Sequence, residues 1–186
     1  MRIFVAIRIP LDDPNNSAAT LASLGYGLAG AHWVGEDGFH ITLAFVDDAD
    51  QGTIREFETA LSTIVSPPFE LTIRGIGLYP LRGLPRQLWA GVEESAPLNL
   101  LHGRVQSALA RSGLPRETRK FQPHITLAHL SGVSEERLAA FVIERSLLRL
   151  PPIFIEEFSL LSSERIGGER VHEEIASFPL VGLPVE

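Results

Sequence analysis

The sequence predicts an α+β fold: bilobal, with two antiparallel β-sheet lobes, helices on their outer faces, a central cleft and a pseudo-two-fold duplication. Three observations predict it. Strand-like and helix-like patterns are interleaved along all 186 residues, with pairs of consecutive strands that favour antiparallel pairing. The phrase His-Ile-Thr-Leu-Ala occurs twice, at residues 40–44 and 124–128, 84 residues apart. A helix pattern follows each copy. Residues 1–186 are therefore expected to form one bilobal domain with two similar halves.

Arg2 to Ile9 reads as a first strand, closed by Pro10 and a turn-rich stretch through Asn16. Asn16 or Ser17 is placed to cap a helix running to about Leu28, with Ala18, Leu21 and Leu24 at helical spacing. Trp33-Val34 suggests a short strand before the first repeated phrase. After it, Ile54, Phe57, Leu61 and Ile64 form an amphipathic stripe, with acids at 47, 48 and 50 offering N-caps. Phe69 to Tyr79 and Gln87 to Val92 read as strands. Ser95 caps a third helix with Pro97 in its first turn, and Gly113 is placed to end it. Ser134 caps a fourth, with Glu135 and Glu136 where the macrodipole favours acids. Ile153 to Leu161 and Val171 to Leu180 close the chain as strands joined through Gly167-Gly168.

The repeated phrases carry the chemistry. Alternate side chains of a strand share a face. His40, Thr42 and Ala44 then point one way and Ile41, Leu43 and Phe45 the other; His124, Thr126 and Ala128 oppose Ile125 and Leu127. Each strand offers an imidazole beside a hydroxyl, above an apolar face suited to a core. A single His-x-Thr is ordinarily a half-exposed polar strand face. Two copies sharing five residues point instead to function, because packing alone has no reason to choose His twice.

Composition narrows the chemistry. There is no cysteine, which excludes disulfides, thiolate nucleophiles and thiolate metal sites and fits a cytoplasmic setting. No apolar run approaches a membrane span, and no secretory signal is visible. A net charge of −7 argues against broad adhesion to nucleic acid, while leaving room for a local basic patch. Two facing histidines suit acid–base catalysis without a covalent intermediate: one neutral imidazole takes a proton from water and one imidazolium protonates a leaving oxygen. Imidazoles on opposite sides of one centre suit in-line displacement at phosphorus. Thr42 and Thr126 would donate to the non-bridging oxygens. No cofactor and no metal is needed for this. A zinc site from His40, His124 and His129 lacks supporting ligand spacing.

The paired His-Ile-Thr-Leu motifs resemble those of the 2H phosphoesterase superfamily. Met1 to Ile7, the approach from Trp33 to His40, Leu88 to Val92 and Phe121 to Ala128 together resemble the bacterial and archaeal RNA 2′,3′-cyclic phosphodiesterases, the 2′-5′ RNA ligase family. The resemblance implies a bilobal α+β fold and metal-independent hydrolysis of a terminal 2′,3′-cyclic phosphate on RNA to a 2′-phosphate, with weak reverse 2′-5′ ligation. It maps the motif histidines onto His40 and His124 and the motif threonines onto Thr42 and Thr126. His40 is assigned as proton donor to O3′ and His124 as the base that activates water, a choice that near-symmetry leaves open.

Two positions depart from that family. It commonly has Arg where this chain has His129, and Tyr where this chain has His172. Strict alternation puts His129 opposite His124, which favours a surface residue over a phosphate contact. Arg119 and Lys120, with Arg111 and Arg116, precede the second motif and are candidates for RNA contact, as are Arg82 and Arg86. Phe39, Phe121, Tyr79 and Trp89 are candidates for base stacking, though core packing is the better reading of Trp89. His32 and His102 receive no role. Alternative functions are a 2H phosphodiesterase acting on small cyclic nucleotides or 2′-5′ oligonucleotides, and a non-catalytic RNA-end-binding module. A monomer is expected.

Overall fold

The structure is a computed structural model that describes residues 1–80 and 83–182; Arg82 lies outside them. The first strand, β1 (Arg2–Arg8), is buried on both faces. Ile3, Val5 and Ile7 join the main core, while Phe4 and Ala6 form a small second cluster with Leu161 on the opposite face. A strand covered on both sides explains its continuous apolar run.

The helix α1 (Ser17–Ser23) is shorter than its pattern suggests, and a 3₁₀ turn over Leu24–Gly27 takes its place. The rings of Trp33 and Phe141 crowd the positions that a Cβ on Gly25 or Gly27 would occupy, so the glycines serve close packing. Asn16 is the N-cap residue of this helix, but its side chain makes no capping bond. The buried carboxylate of Asp13 supplies the side-chain acceptor instead, accepting from the Ser17 N–H at 3.1 Å and its hydroxyl at 2.6 Å. The other three caps are those the sequence marks. Asp50 accepts from Thr53 N–H at the start of α2 (Gln51–Ser62), Ser95 from Leu98 at α3 (Ala96–Arg111), and Ser134 from Arg137 at α4 (Glu135–Arg145).

The remaining strands are β2 (His32–Trp33), β3 (His40–Val46), β4 (Phe69–Leu71), β5 (Ile73–Tyr79), β6 (Gln87–Val92), β7 (His124–His129), β8 (Ile153–Ile155), β9 (Glu157–Ile166) and β10 (Glu169–Pro179). Two stretches that read as single strands are each divided, at Thr72 and at Glu156. Their first parts leave the main sheet and pair with each other as β4 and β8.

The main sheet runs β10-β9-β1-β3-β7-β6-β5, with β2 pairing β7. Apart from β2 and β10, each half of the chain contributes the same sequence of strands and α-helices: β1, α1, β3, α2, β4, β5 and then β6, α3, β7, α4, β8, β9. The halves exchange strands. β9 from the second half pairs β1, and β5 from the first half pairs β6. The two lobes meet where β3 pairs β7 at Ile41 and Ile125. That pair lies on the pseudo-two-fold axis, because residues 41 and 125 occupy the same place in the two repeated phrases. No helix among the described residues is long and apolar enough to cross a membrane.

Candidate active site

The pairing of Ile41 with Ile125 sets the site's layout. Stepping one residue either way along antiparallel strands places Thr126 across from His40 and Thr42 across from His124. Ile41 and Ile125 are fully buried, so the four polar side chains share the opposite face. Each imidazole thus has the other strand's hydroxyl as its cross-strand neighbour.

Both imidazoles are held in the same way. Nδ1 of His40 lies 2.7 Å from the carbonyl of Gly38, and Nδ1 of His124 lies 2.8 Å from the carbonyl of Gln122. A carbonyl only accepts, so each Nδ1 carries the proton and donates it. Each Nε2 is then the ring nitrogen left without that bond, a lone pair in the neutral ring and an N–H donor in the cation.

The two rings differ in environment. His124 is exposed, whereas His40 is half-buried. His40 packs against Phe4 at a 5.1 Å centroid distance and meets His172 edge-on at 5.5 Å. Burial is the main cause that pushes the His40 pKa below its ordinary value. The Gly38 hydrogen bond opposes this, and repulsion from His172, His124 and Arg8 adds to it. Arg8, the cross-strand partner of His40, is drawn to Glu174 at 3.5 Å. The Glu174 carboxylate also accepts from the Ser159 hydroxyl at 2.8 Å.

Strict alternation fails in both repeated strands, at the same place. Along β3 the register with β1 shifts so that Leu43 is an extra residue between Thr42, opposite Ala6, and Ala44, opposite Val5. Along β7 the register with β6 shifts so that Leu127 is extra between Thr126, opposite Trp89, and Ala128, opposite Leu88. Each is a β-bulge. Ala44 and Ala128 therefore turn into the core with Leu43 and Leu127. Phe45 and His129 turn out onto the face that carries the histidines. This reverses the expected direction of Ala44, Phe45, Ala128 and His129. His129 is no stray surface residue: it is exposed on the site face, with His32 and Gln87 as cross-strand neighbours.

Each bulge leaves a carbonyl needing a donor, and each has one. The Gln106 side-chain amide donates to Leu43 O at 3.2 Å, and the Val34 N–H donates to Leu127 O at 2.9 Å. Gln106 is buried, and its amide oxygen accepts from the Glu117 N–H at 2.9 Å. It thereby ties the first motif to the segment leading into the second. Its signal in the sequence is a polar residue beside Val105 and Leu109 on the apolar stripe of α3.

The aromatic candidates separate. Phe39 is 1% exposed and belongs to the core, so it cannot reach a base. Phe121 is half-buried and stacks on His102 at 3.9 Å. Trp89, expected in the core, instead lies on the site face, opposite Thr126 and 6.2 Å from His124. A Cβ on Gly77 would overlap the Trp89 ring, so only glycine at 77 seats it. Tyr79 is exposed at the far edge of the same lobe.

The basic segment before β7 is largely committed elsewhere. Arg116 donates to Gln106 O and the Ser107 hydroxyl, Arg111 to the Thr63 hydroxyl, and Arg119 pairs with Glu117 at 3.4 Å. Lys120 is exposed, and Arg86 lies exposed in the turn after β5. Among the described residues no three metal-ligating side chains converge, so His40, His124 and His129 do not form a ligand set.

Comparison with known proteins agrees with this geometry. The family model described as the 2′-5′ RNA ligase superfamily matches residues 14–165. A protein of Geobacillus stearothermophilus named RNA 2′,3′-cyclic phosphodiesterase is 32% identical over 158 residues, covering 82% of this chain and 48% of that protein. The chain thus spans about half the length of that relative. A protein of the same name from Thermotoga maritima is 32% identical over 132 residues, 70% of each chain. The fold matches E. coli LigT complexed with 3′-AMP, with a TM-score of 0.76 at 23% identity over 97% of this chain and 98% of that one. It also matches a Thermus thermophilus protein, TT0787, with a TM-score of 0.74 at 23% identity over the same shares. With the family model spanning most of its length and both copies of the His-x-Thr strand paired on one face of the sheet, the chain belongs to the 2′-5′ RNA ligase superfamily, among the 2H phosphoesterases.

Proposed function

We propose that the protein hydrolyses the terminal 2′,3′-cyclic phosphate of an RNA to a 2′-phosphate. The observation that carries this reading is the matched pair of imidazoles, each with Nδ1 committed to the carbonyl two residues before it and Nε2 left without that bond. The names of the curated relatives support the same substrate.

In this reading the cyclic phosphate sits over the Ile41–Ile125 pair. Thr42 and Thr126 donate to its non-bridging oxygens. His124, on the exposed side, takes a proton from water as the water oxygen bonds to phosphorus. His40, withdrawn from bulk water, gives its proton to O3′ as the P–O3′ bond breaks. One water is consumed, and the product carries a 3′-hydroxyl and a 2′-phosphomonoester. The proton gained by His124 and lost by His40 is exchanged with solvent before the next turnover. A lowered pKa makes the His40 imidazolium the stronger acid, and the bound phosphate anion favours its protonated form. Reverse addition of a ribose hydroxyl in place of water would give a 2′-5′ bond at a low rate. Small cyclic nucleotides or 2′-5′ oligonucleotides are the second reading, since the four polar groups hold the phosphate and leave the rest of the substrate open.

The test is a short RNA ending in a 2′,3′-cyclic phosphate, incubated with the protein in EDTA, with the product end identified. A 2′-phosphate, lost by a factor of roughly 10²–10⁴ in His40→Ala and in His124→Ala with the fold intact, is the expected result. A 3′-phosphate would reverse the leaving oxygen. Binding without turnover would move the assignment to an RNA-end-binding module.

A further inference from the structure

We propose that Arg165 and Arg170, a cross-strand pair on the β9–β10 hairpin, form a second phosphate subsite that holds the 5′-phosphate of the terminal nucleotide. The inference rests on the reading of the site as a cyclic-phosphate site and deepens it: a cyclic end carried by an RNA chain is preferred over a free nucleoside 2′,3′-cyclic phosphate.

The hairpin turns through Gly167-Gly168, with φ of 61° and 92°. Two central residues at positive φ make the tight turn that matches the twist of the strands. The turn holds the register, with Arg165 opposite Arg170 and Ser163 opposite His172. Residues 170 and 172 share a face. His172 identifies that face, since its ring meets Phe4 at 4.8 Å and His40 at 5.5 Å. The Arg170 guanidinium donates to the Ser163 hydroxyl at 3.4 Å, a diagonal contact on the same side. Both arginines are exposed.

The hairpin leans over the histidines. In the strand order β10 stands three places from β3, a gap of roughly 14 Å in a flat sheet. The contact of His172 with His40 therefore requires the sheet to be concave on this face. The pKa values of His172 and His129 are both lowered, by burial first and next by the charge of Arg170. Arg170 thus acts at once on the ring beside His40 and on a ring of the second motif's strand.

The arginine pair opposes folding rather than helping it, because like charges directly across paired strands repel. Arg2 and Arg8, on the same face, are each matched by a carboxylate, Asp47 at 3.1 Å and Glu174 at 3.5 Å. The partner described for Arg170 is a neutral hydroxyl. An anion between the two guanidinium groups would relieve the repulsion and accept from both, and guanidinium geometry suits phosphate. Its place is beside the reacting phosphorus, not at it, since Arg170 lies two residues beyond His172, a step of about 7 Å. In a nucleotide ending in a 2′,3′-cyclic phosphate, the next anion is the 5′-phosphate, set off from the cyclic one by the C3′–C4′–C5′ arm of the sugar. With the cyclic phosphate held at Thr42 and Thr126, that arm carries the 5′-phosphate toward the hairpin.

The experiment compares wild type, Arg165→Ala, Arg170→Ala and Arg170→Lys on three substrates: uridine 2′,3′-cyclic phosphate, the same compound bearing a 5′-phosphate, and a short RNA ending in uridine 2′,3′-cyclic phosphate. Circular dichroism and thermal unfolding check that the variants fold. Wild type should favour the two substrates that carry the 5′-phosphate. On those two, Arg170→Ala is expected to raise KM roughly five- to thirty-fold, the effect of losing one exposed charge-assisted contact, with Arg165→Ala in the same direction and Arg170→Lys milder. On the RNA, the slope of log KM against log salt should fall by about one per arginine removed. On the nucleoside cyclic phosphate the ratio of variant to wild-type KM should approach unity. An equal loss with and without the 5′-phosphate would overturn the proposal, as would no change in KM on any substrate. Should wild type turn over none of the three, the phosphodiesterase reading falls separately. The subsite is then decided by calorimetric binding of adenosine 2′,5′-bisphosphate against adenosine 2′-monophosphate. Tighter binding of the bisphosphate, lost in Arg170→Ala, supports the subsite; no advantage of the bisphosphate in wild type overturns it.

Discussion

The side-chain amide of Gln106, buried on α3, donates to the carbonyl of Leu43, the bulged residue of the first His-x-Thr strand, at 3.2 Å. The bulge would otherwise bury an unpaired carbonyl. Replacing Gln106 by Leu leaves both Leu43 O and the Glu117 N–H without a partner. The expected cost is about 2–4 kcal/mol, read as a lower urea midpoint at an unchanged m-value. A midpoint like that of wild type would show that the bulge is held by its packing alone.

Thr42 and Thr126 lie across from the opposite motif's histidine and should act mainly on the charge developing at phosphorus. Thr→Val keeps the shape and removes the donor. Each substitution should lower kcat by roughly 10²–10³, with Thr→Ser much milder. Steady-state kinetics on a cyclic-phosphate-ended RNA would decide this, and a loss confined to KM would restrict the threonines to binding.

His172 should shape the pH–rate profile. His40 must be protonated to act as an acid, and its pKa is lowered by burial first and then, against the Gly38 bond, by repulsion from His172, His124 and Arg8. kcat/KM should therefore fall as pH rises through a value below about 6.5, the ordinary histidine pKa. His172→Phe keeps the packing against His40 and Phe4 but removes one repelling charge. Its descending limb should move to higher pH. A limb that stays in place would remove His172 from the electrostatics of the acid.

Stability should also depend on pH. His40, His102, His129 and His172 all have lowered pKa values, burial being the largest cause in each case. In the unfolded chain these rings protonate near pH 6.5, so below that pH the unfolded state binds more protons than the folded one. The stability of the neutral rings is present above about pH 6.5 and is lost as pH falls through their folded values. Tm should be nearly flat above neutrality and decline on acidification, and His40→Gln should make the decline shallower. An acid-side slope unchanged in that variant would place the sensitivity on other groups.

The elements that local chemistry governs were legible in the chain. The apolar stripes of α2 and α3 and the caps at Asp50, Ser95 and Ser134 follow from nearest neighbours along the sequence. The duplicated His-Ile-Thr-Leu-Ala phrase identified the four side chains that the structure gathers around Ile41 and Ile125. Helix periodicity and capping reach only a few residues, so a sequence carries them openly.

Tertiary structure decided what depended on a partner strand. A bulge is a mismatch in count between two strands, so Leu43 and Leu127 look like ordinary alternating residues until β1 and β6 are laid beside them. That mismatch turned Phe45 and His129 onto the site face against strict alternation. Trp89 read as core because its own strand is apolar, and only its pairing with Thr126 and its seat over Gly77 put it beside the histidines. The exchange of β5 and β9 between lobes was hidden for the same reason, since hydrogen-bond partners far apart in sequence are chosen by the closure of the whole sheet rather than by any local preference.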